Sequence, residues 1–238
     1  MYKDYTVLCI IPARGNSRGL PGKNIKNLLG KPLIGYTIEQ ALNSNYIDRV
    51  IVSTESIEIG RIAAQFHAEV PFLRPVELAT DGSGTIDVLL HAMTWLEAEE
   101  KYKFDILVLL HVTTPLREPE DIDRCIELLI EKGADNVFSV TEAHRNPYFN
   151  MVETDANGWV NLVKQGSFST RQSAPPVYDM NSSIYVWWRE VLRNERRTFL
   201  HKSWAYIMPK ERSVDIDDHI DFRIAEMLLR ERLQCQNT

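Results

Sequence analysis

The amino-acid sequence predicts an α/β fold, a doubly wound, mostly parallel sheet flanked by helices. Three observations carry that expectation. Short, nearly continuous apolar runs at Tyr5 to Ile11, Arg49 to Thr54 and Asp105 to Val112 read as strands buried on both faces. Stretches with helical apolar spacing separate them, as crossover connections require. The first run empties into a loop rich in glycine and positive charge, at the place where sheets of this kind bind ligands.

Taken in order, the first strand ends at Ile11, and Leu33, Ile34, Thr37, Ile38, Ala41 and Leu42 then recur at helical spacing, with Pro32 suited to a first helical turn. Arg49 to Thr54 forms a strand and is followed by a helix through Ile57, Ile62, Ala63 and Phe66. Glu69 to Leu73 reads as another short strand. Ile86, Leu89, Leu90, Met93 and Leu96 mark a longer helix that Ser83 or Thr85 could cap. After the strand ending at Val112 come a helix across Ile122, Ile126, Leu129 and Ile130 and a strand through Val137 to Val140. The periodicity then weakens. Turn signals at Asn146-Pro147, Asn157-Gly158 and Pro175-Pro176 mark residues 142–180 as an excursion from the sheet, with one strand at Trp159 to Val163. Ser183 to Trp188 and Trp204 to Met208 return as strands. An amphipathic helix through Ile220, Ile224, Met227 and Leu228 ends a chain read as one domain over 1–238.

Composition narrows the function. At 238 residues, 44% hydrophobic and 25% charged, the chain has the balance of an ordinary globular protein with one sizeable core. Its net charge of −6 argues against a nucleic-acid surface. Three scattered cysteines suit a reducing compartment and support neither a disulfide framework nor a metal knuckle. No apolar run reaches the ~20 residues of a membrane span, and the first residues lack a signal peptide's apolar core. A soluble, cytoplasmic protein is the expectation.

Between Pro12 and Lys26 lie Gly15, Gly19 and Gly22, with Arg14, Arg18, Lys23 and Lys26 among them. Glycines let backbone amides approach a ligand, and cations gathered there suit a polyphosphate. A Walker A loop ending at Lys23 fails, because Ser17 and Asn24 stand where glycine and serine or threonine are needed. A dinucleotide fingerprint starting at Gly15 fails at Ser17 too. A solvated basic turn is the competing interpretation. The second chemical stretch is Arg212-Ser213-Val214-Asp215-Ile216-Asp217-Asp218. In a strand Asp215 and Asp217 share a face while Ile216 turns inward, a spacing that suits Mg²⁺ beside phosphate oxygens. Asp217 or Asp218 could instead cap the last helix.

The string PARGNSRGLPGKN, with the apolar helix after it, resembles the opening of the CMP-sialic acid synthetases, the acylneuraminate cytidylyltransferases. Their superfamily, with the nucleotide-diphospho-sugar transferase type of fold, also holds the CMP-Kdo synthetases. RSVDID is similar to that family's metal-binding aspartate motif, and Phe72 to Thr85 to its FLRPxELAxD stretch. The resemblance implies nucleotide contacts from Arg14, Gly15, Lys23, Asn24, Arg74, Ser83 and Thr85, and Mg²⁺ on Asp215 and Asp217. It implies catalytic roles for Arg14, Lys23 and Asp217. Helix capping by Ser83 and Thr85, and a surface ion pair of Arg74 with Glu77, stay open beside these roles.

His111-Val112-Thr113-Thr114-Pro115-Leu116-Arg117 is similar to the family's QPTSPLR, with His111 for glutamine and Val112 for proline. Arg171, Asn181 and Ser182 fall in its PRQ…NGAIY region, with Ser182 for glycine. His111, Arg171 and Asn181 are thereby implied as sugar contacts, although a histidine ending a buried strand also reads as core. The excursion is implied to meet a second subunit, giving a homodimer. The implied reaction moves CMP from CTP to a sialic acid-type α-keto acid sugar and releases pyrophosphate. Use of Kdo or a sugar 1-phosphate, or a non-catalytic nucleotide sensor, are the alternatives.

Overall fold

The computed structural model describes residues 2–16, 19–80 and 82–236. The elements run β1 (Val7–Pro12), β2 (Asn27–Leu28), β3 (Lys31–Pro32), α1 (Leu33–Leu42), β4 (Arg49–Ser53), α2 (Ile57–Gln65), α3 (Thr85–Glu99), β5 (Ile106–Leu110) and α4 (Pro119–Glu131). They continue with β6 (Asn136–Glu142), β7 (Val152–Thr154), β8 (Val160–Leu162), β9 (Tyr178–Trp188), α5 (Arg189–Glu195), β10 (Ser203–Ile207) and α6 (His219–Gln236).

Six strands form the central sheet in the order β10-β6-β9-β5-β1-β4. β1 pairs in parallel with β4 and β5, β10 in parallel with β6, and β9 runs antiparallel to both neighbours. Alternation along β1 explains why both faces need cover. Val7, Cys9 and Ile11 face a core built with α1, α2, α4 and α6, while Leu8 and Ile10 face a second core built with α3 and α5. From β1 the chain moves outward to β4 and then crosses back past β1 to β5. The carboxyl ends of β1 and β5 therefore flank a reversal of strand order, where such sheets open a crevice.

Several sequence expectations shift locally. Glu69 to Leu73 is not a strand; it meets the sheet through one bridge to Ile51 and then leaves it at Pro71. Pro32 lies just before α1 rather than in its first turn. The inward face of α6 is Phe222, Ala225 and Leu229, each large side chain of this kind stabilising by roughly 1.5–3 kcal/mol when buried. Ile220 and Met227 point outward instead, at 68% and 53% exposure. The apolar stripe of α6 is wider than its contact with the core, so spacing alone did not give its orientation.

The excursion leaves after β6, forms the antiparallel β7–β8 ribbon and returns along the first residues of β9. Asp155 closes the ribbon by accepting the amides of Asn157 and Trp159, and Gly158 sits at φ +86°. Where β9 regains the sheet it bulges: Phe138 pairs with Tyr185 but Val140 with Met180. Ser139 spans the gap, donating to Asn181 Oδ1 and accepting the Ile184 amide. Ser182, in the bulge, takes φ +48°, the left-handed region that favours the glycine usual in the resembled family.

Candidate active site

The crevice at the carboxyl ends of β1 and β5 is a cavity of about 410 Å³. Arg14, Lys23, Asn24, Arg74, Ser83, Thr85, His111 and Asp217 all line it. Segments far apart in the chain thus converge on one site, Lys23 and Asp217 being separated by 194 residues. Arg18 and Ser17 lie outside the described residues.

A short helical turn over Lys23–Ile25, entered through Gly22 at φ +65°, carries Lys23 and Asn24. Both are nearly buried, at 8% and 7% exposure. Lys23 Nζ donates to the Ile216 carbonyl at 2.5 Å and stands 3.4 Å from Asp217 Oδ1. Asn24 Nδ2 donates to the Arg14 carbonyl at 2.8 Å, holding the loop in a fixed curve. Gly19 touches the other end of the chain. A Cβ there would fall 2.2 Å from the Asp217 carbonyl oxygen, so glycine is the residue that lets the two loops meet.

Residues 214–217 form no strand; the Ile216 amide bonds the Thr113 carbonyl at 2.8 Å. Ile216 is fully buried, and of the aspartates that flank it only Asp217 is exposed. Helix capping falls to Asp218, whose Oδ1 accepts the Ile220 and Asp221 amides, while Asp221 accepts those of Asp217 and Asp218. The Asp217 carboxylate is left 82% exposed at the cavity. Asp215 is the more enclosed of the two. Burial pushes its carboxyl above the ordinary range, the Asp217 charge adds to this, and the Thr113 and Ser182 hydroxyls act against it. Its Oδ1 is buried without a hydrogen-bond partner.

That orphaned oxygen beside a second carboxylate fits a divalent cation. Among the described residues no three metal-ligating side chains gather, so a cation here would draw its other ligands from a substrate and water. Mg²⁺ is commonly held in that manner.

Arg74 is only 5% exposed and pairs through Nη2 with Glu55 Oε2 at 2.8 Å, not with Glu77. Its Nε is buried without a partner. Glu55 also accepts the Gly15 amide at 2.6 Å, so that amide is engaged within the chain instead of facing a phosphate. Glu55 follows β4 with no motif to mark it in the sequence. Ser83 does not cap α3, whose N-cap is Gly84. Its hydroxyl donates to the Glu77 carbonyl and meets Thr80, while Thr85 opens α3 at the cavity wall.

His111 packs edge-on to Tyr185. Burial, with the charges of Arg117 and Lys23, pulls its pKa down to about 4, so the imidazole is neutral at pH 7. Behind it the Arg117 guanidinium is 1% exposed and donates to the carbonyls of His111, Ser183 and Thr114. Arg117 thereby ties the end of β5 to the β9 bulge, a role that the PLR motif alone does not reveal.

Two implied sugar contacts sit elsewhere. The Asn181 amide is used inside the fold, accepting from Ser139 and donating to Ser213 at 3.0 Å. It anchors the aspartate loop and is 4% exposed, so it does not line the cavity. Arg171 donates to the Ala143 carbonyl and lines a separate cavity of about 280 Å³ at the base of the excursion.

The profile of the cytidylyltransferase family matches residues 8–236, the span that carries the whole crevice. The chain belongs to this family. It is 39% identical to a CMP-N,N'-diacetyllegionaminic acid synthase of Campylobacter jejuni, over 94% of each chain. An N-acylneuraminate cytidylyltransferase of Streptococcus agalactiae is 34% identical over 90% of this chain and 51% of its own length. Among solved structures, a CMP:2-keto-3-deoxy-manno-octonic acid synthetase complexed with CTP superposes with a TM-score of 0.70 at 17% identity, covering 95% of this chain and 99% of that one. The structural likeness bears on the fold and agrees with the mixed, mostly parallel sheet. As a cytidylyltransferase, the chain is a nucleotidyl-transferring enzyme.

Proposed function

We propose that this cytidylyltransferase transfers CMP from CTP to the anomeric hydroxyl of a sialic acid-type α-keto acid sugar. The observation that carries the reading is the meeting of Lys23 with Asp217 in one cavity beside the half-unpaired Asp215. The names of the relatives at 34–39% identity supply the class of acceptor.

In this reading the sugar hydroxyl oxygen bonds to the α-phosphorus, and the bond from that phosphorus to the β-phosphate bridging oxygen breaks. Pyrophosphate leaves with the bonding electrons. The hydroxyl proton departs toward Asp217, the carboxylate that lines the cavity. Lys23, fixed by Ile216 and nearly dry, stabilises charge on the α-phosphate and the leaving group. Arg14 serves the outer phosphates. Arg74, with Asn24, Ser83 and Thr85 lining the same cavity, serves the nucleoside. His111 offers the sugar a neutral hydrogen-bonding edge. Asp215 and Asp217 would hold Mg²⁺, which supplies neutralisation of phosphate charge and a template for the phosphates.

The exposed apolar side chains of the β7–β8 ribbon, Trp159 at 73% and Val160 at 60%, support a homodimer through the excursion. Arg171, away from the cavity of its own chain, would then serve a sugar pocket completed across the dimer. A cytoplasmic setting, with its CTP supply, suits this reading.

Pyrophosphate release decides the activity. Each of the four nucleoside triphosphates is offered with keto acid sugars, Kdo and sugar 1-phosphates. Release with CTP and a sialic acid-type sugar is expected; release only with Kdo or a sugar phosphate would move the acceptor, and none with any pair would leave a nucleotide sensor. Trp159→Asp with Val160→Asp is expected to give monomers in sedimentation velocity.

A further inference from the structure

Behind the cavity, the loop after β1 and the segment that carries Arg74 meet at one carboxylate at the end of β4. Glu55 follows β4, and its Oε1 accepts the Gly15 amide at 2.6 Å while its Oε2 accepts Arg74 Nη2 at 2.8 Å. The backbone strengthens the junction: the Ala13 amide bonds the Ser53 carbonyl and the Arg74 amide the Thr54 carbonyl. Burial alone would raise the Glu55 pKa, yet the Arg74 guanidinium and the Gly15 amide hold it below the usual carboxylate range. Glu55 is therefore ionised, and Arg74, 5% exposed, lies beside a full negative charge.

A cavity built for a triphosphate has a selectivity problem that this pairing addresses. A bare buried arginine is a strong phosphate ligand and would compete with Arg14 and Lys23 for the polyphosphate. Paired with Glu55 through Nη2, the guanidinium carries little net charge outward, yet Arg74 still lines the cavity as a hydrogen-bond donor. Such a group suits a neutral acceptor, a pyrimidine carbonyl or a ribose hydroxyl.

We infer that Glu55 is a positioning residue for nucleoside recognition: it fixes Arg74 and cancels its charge, so that Arg74 engages the nucleoside while the triphosphate is left to Arg14 and Lys23. This rests on the CTP reading above. The test is Glu55→Gln, which can still accept the Gly15 amide through Oε1 but turns an amide N–H₂ toward Arg74 and leaves its charge uncancelled.

Two readouts of opposite sign are expected. KM for CTP rises at least tenfold with kcat within threefold of wild type, and inorganic tripolyphosphate inhibits at least threefold more tightly at low salt. General loosening of the site would weaken both ligands together, and that result, or a KM within twofold of wild type, would overturn the inference. In an Arg74→Ala background Glu55→Gln is expected to change neither readout further; a full additive effect would overturn it as well. If Glu55→Gln does not fold, Glu55→Asp, one methylene too short to span both partners, is expected to raise KM at least threefold, and an unchanged KM counts against the inference. Wild-type enzyme that fails to use CTP would refute the functional reading itself, a separate outcome.

Discussion

Lys23 Nζ lies 3.4 Å from Asp217 Oδ1 and donates to the neighbouring Ile216 carbonyl at 2.5 Å, so the last loop before α6 is latched onto the first loop of the chain. The cation is nearly buried while the carboxylate is 82% exposed, which makes the contact more an arrangement of charge around the cavity than a strong ion pair.

Lys23→Ala is expected to lower kcat for pyrophosphate release a hundredfold or more, since one positioned charge at a reacting centre is worth ~2.7–4 kcal/mol. Loss of the bond to Ile216 adds ~1 kcal/mol of destabilisation and lowers Tm by about 2–4 °C. Near-normal turnover would remove Lys23 from the chemistry.

Asp215→Asn separates stability from function. The folded Asp215 pKa is raised above the ordinary 3.8, so its contribution to stability is complete below that value and is lost as pH rises through the raised one. Without metal, charge on this carboxylate is a liability, and at a pH above the raised value the asparagine variant is expected to melt higher than wild type. Mg²⁺ should raise the wild-type Tm and leave the variant unmoved. A variant that melts lower and still responds to Mg²⁺ would contradict the assignment.

His111 imposes an acid limit. Its folded pKa, about 4, lies below the ordinary 6.5, so the stability it contributes is present above 6.5 and declines as pH falls toward 4. Melting curves from pH 7 to pH 4.5 should show wild type losing more stability than His111→Gln. Parallel losses would show that the imidazole protonates without penalty.

Gly19→Ala tests the closure of the two loops. With its Cβ 2.2 Å from the Asp217 carbonyl, one backbone must move. At least a tenfold drop in kcat is expected, since small misplacements near reacting groups cost about that much or more. An alanine variant with wild-type kcat would mean that the loops do not need this approach.

Much of the site was legible because its residues cluster in sequence. Arg14 and Lys23 share one glycine-loosened loop, and Asp215 and Asp217 flank one apolar residue, so local patterning marked them as candidates, while Asn24 came with the family resemblance. Glu55 was not legible: its chemistry arises only when the end of β4 is set between Gly15 and Arg74. Asn181 misled because a polar residue within a motif looks the same whether it faces a ligand or a buried bulge. The capping ambiguity at Asp217 and Asp218 also needed coordinates, since either spacing allows an N-cap.

By itself the sequence determined the doubly wound sheet, because uninterrupted apolar strands have to be covered on both faces, and it determined which loop gathers positive charge. The tertiary structure alone decided which carboxylates are solvated, which holds an orphaned oxygen, and which arginine is paired with Glu55. Those properties depend on distances between segments far apart in the chain, and no local pattern of residues encodes a distance of that kind.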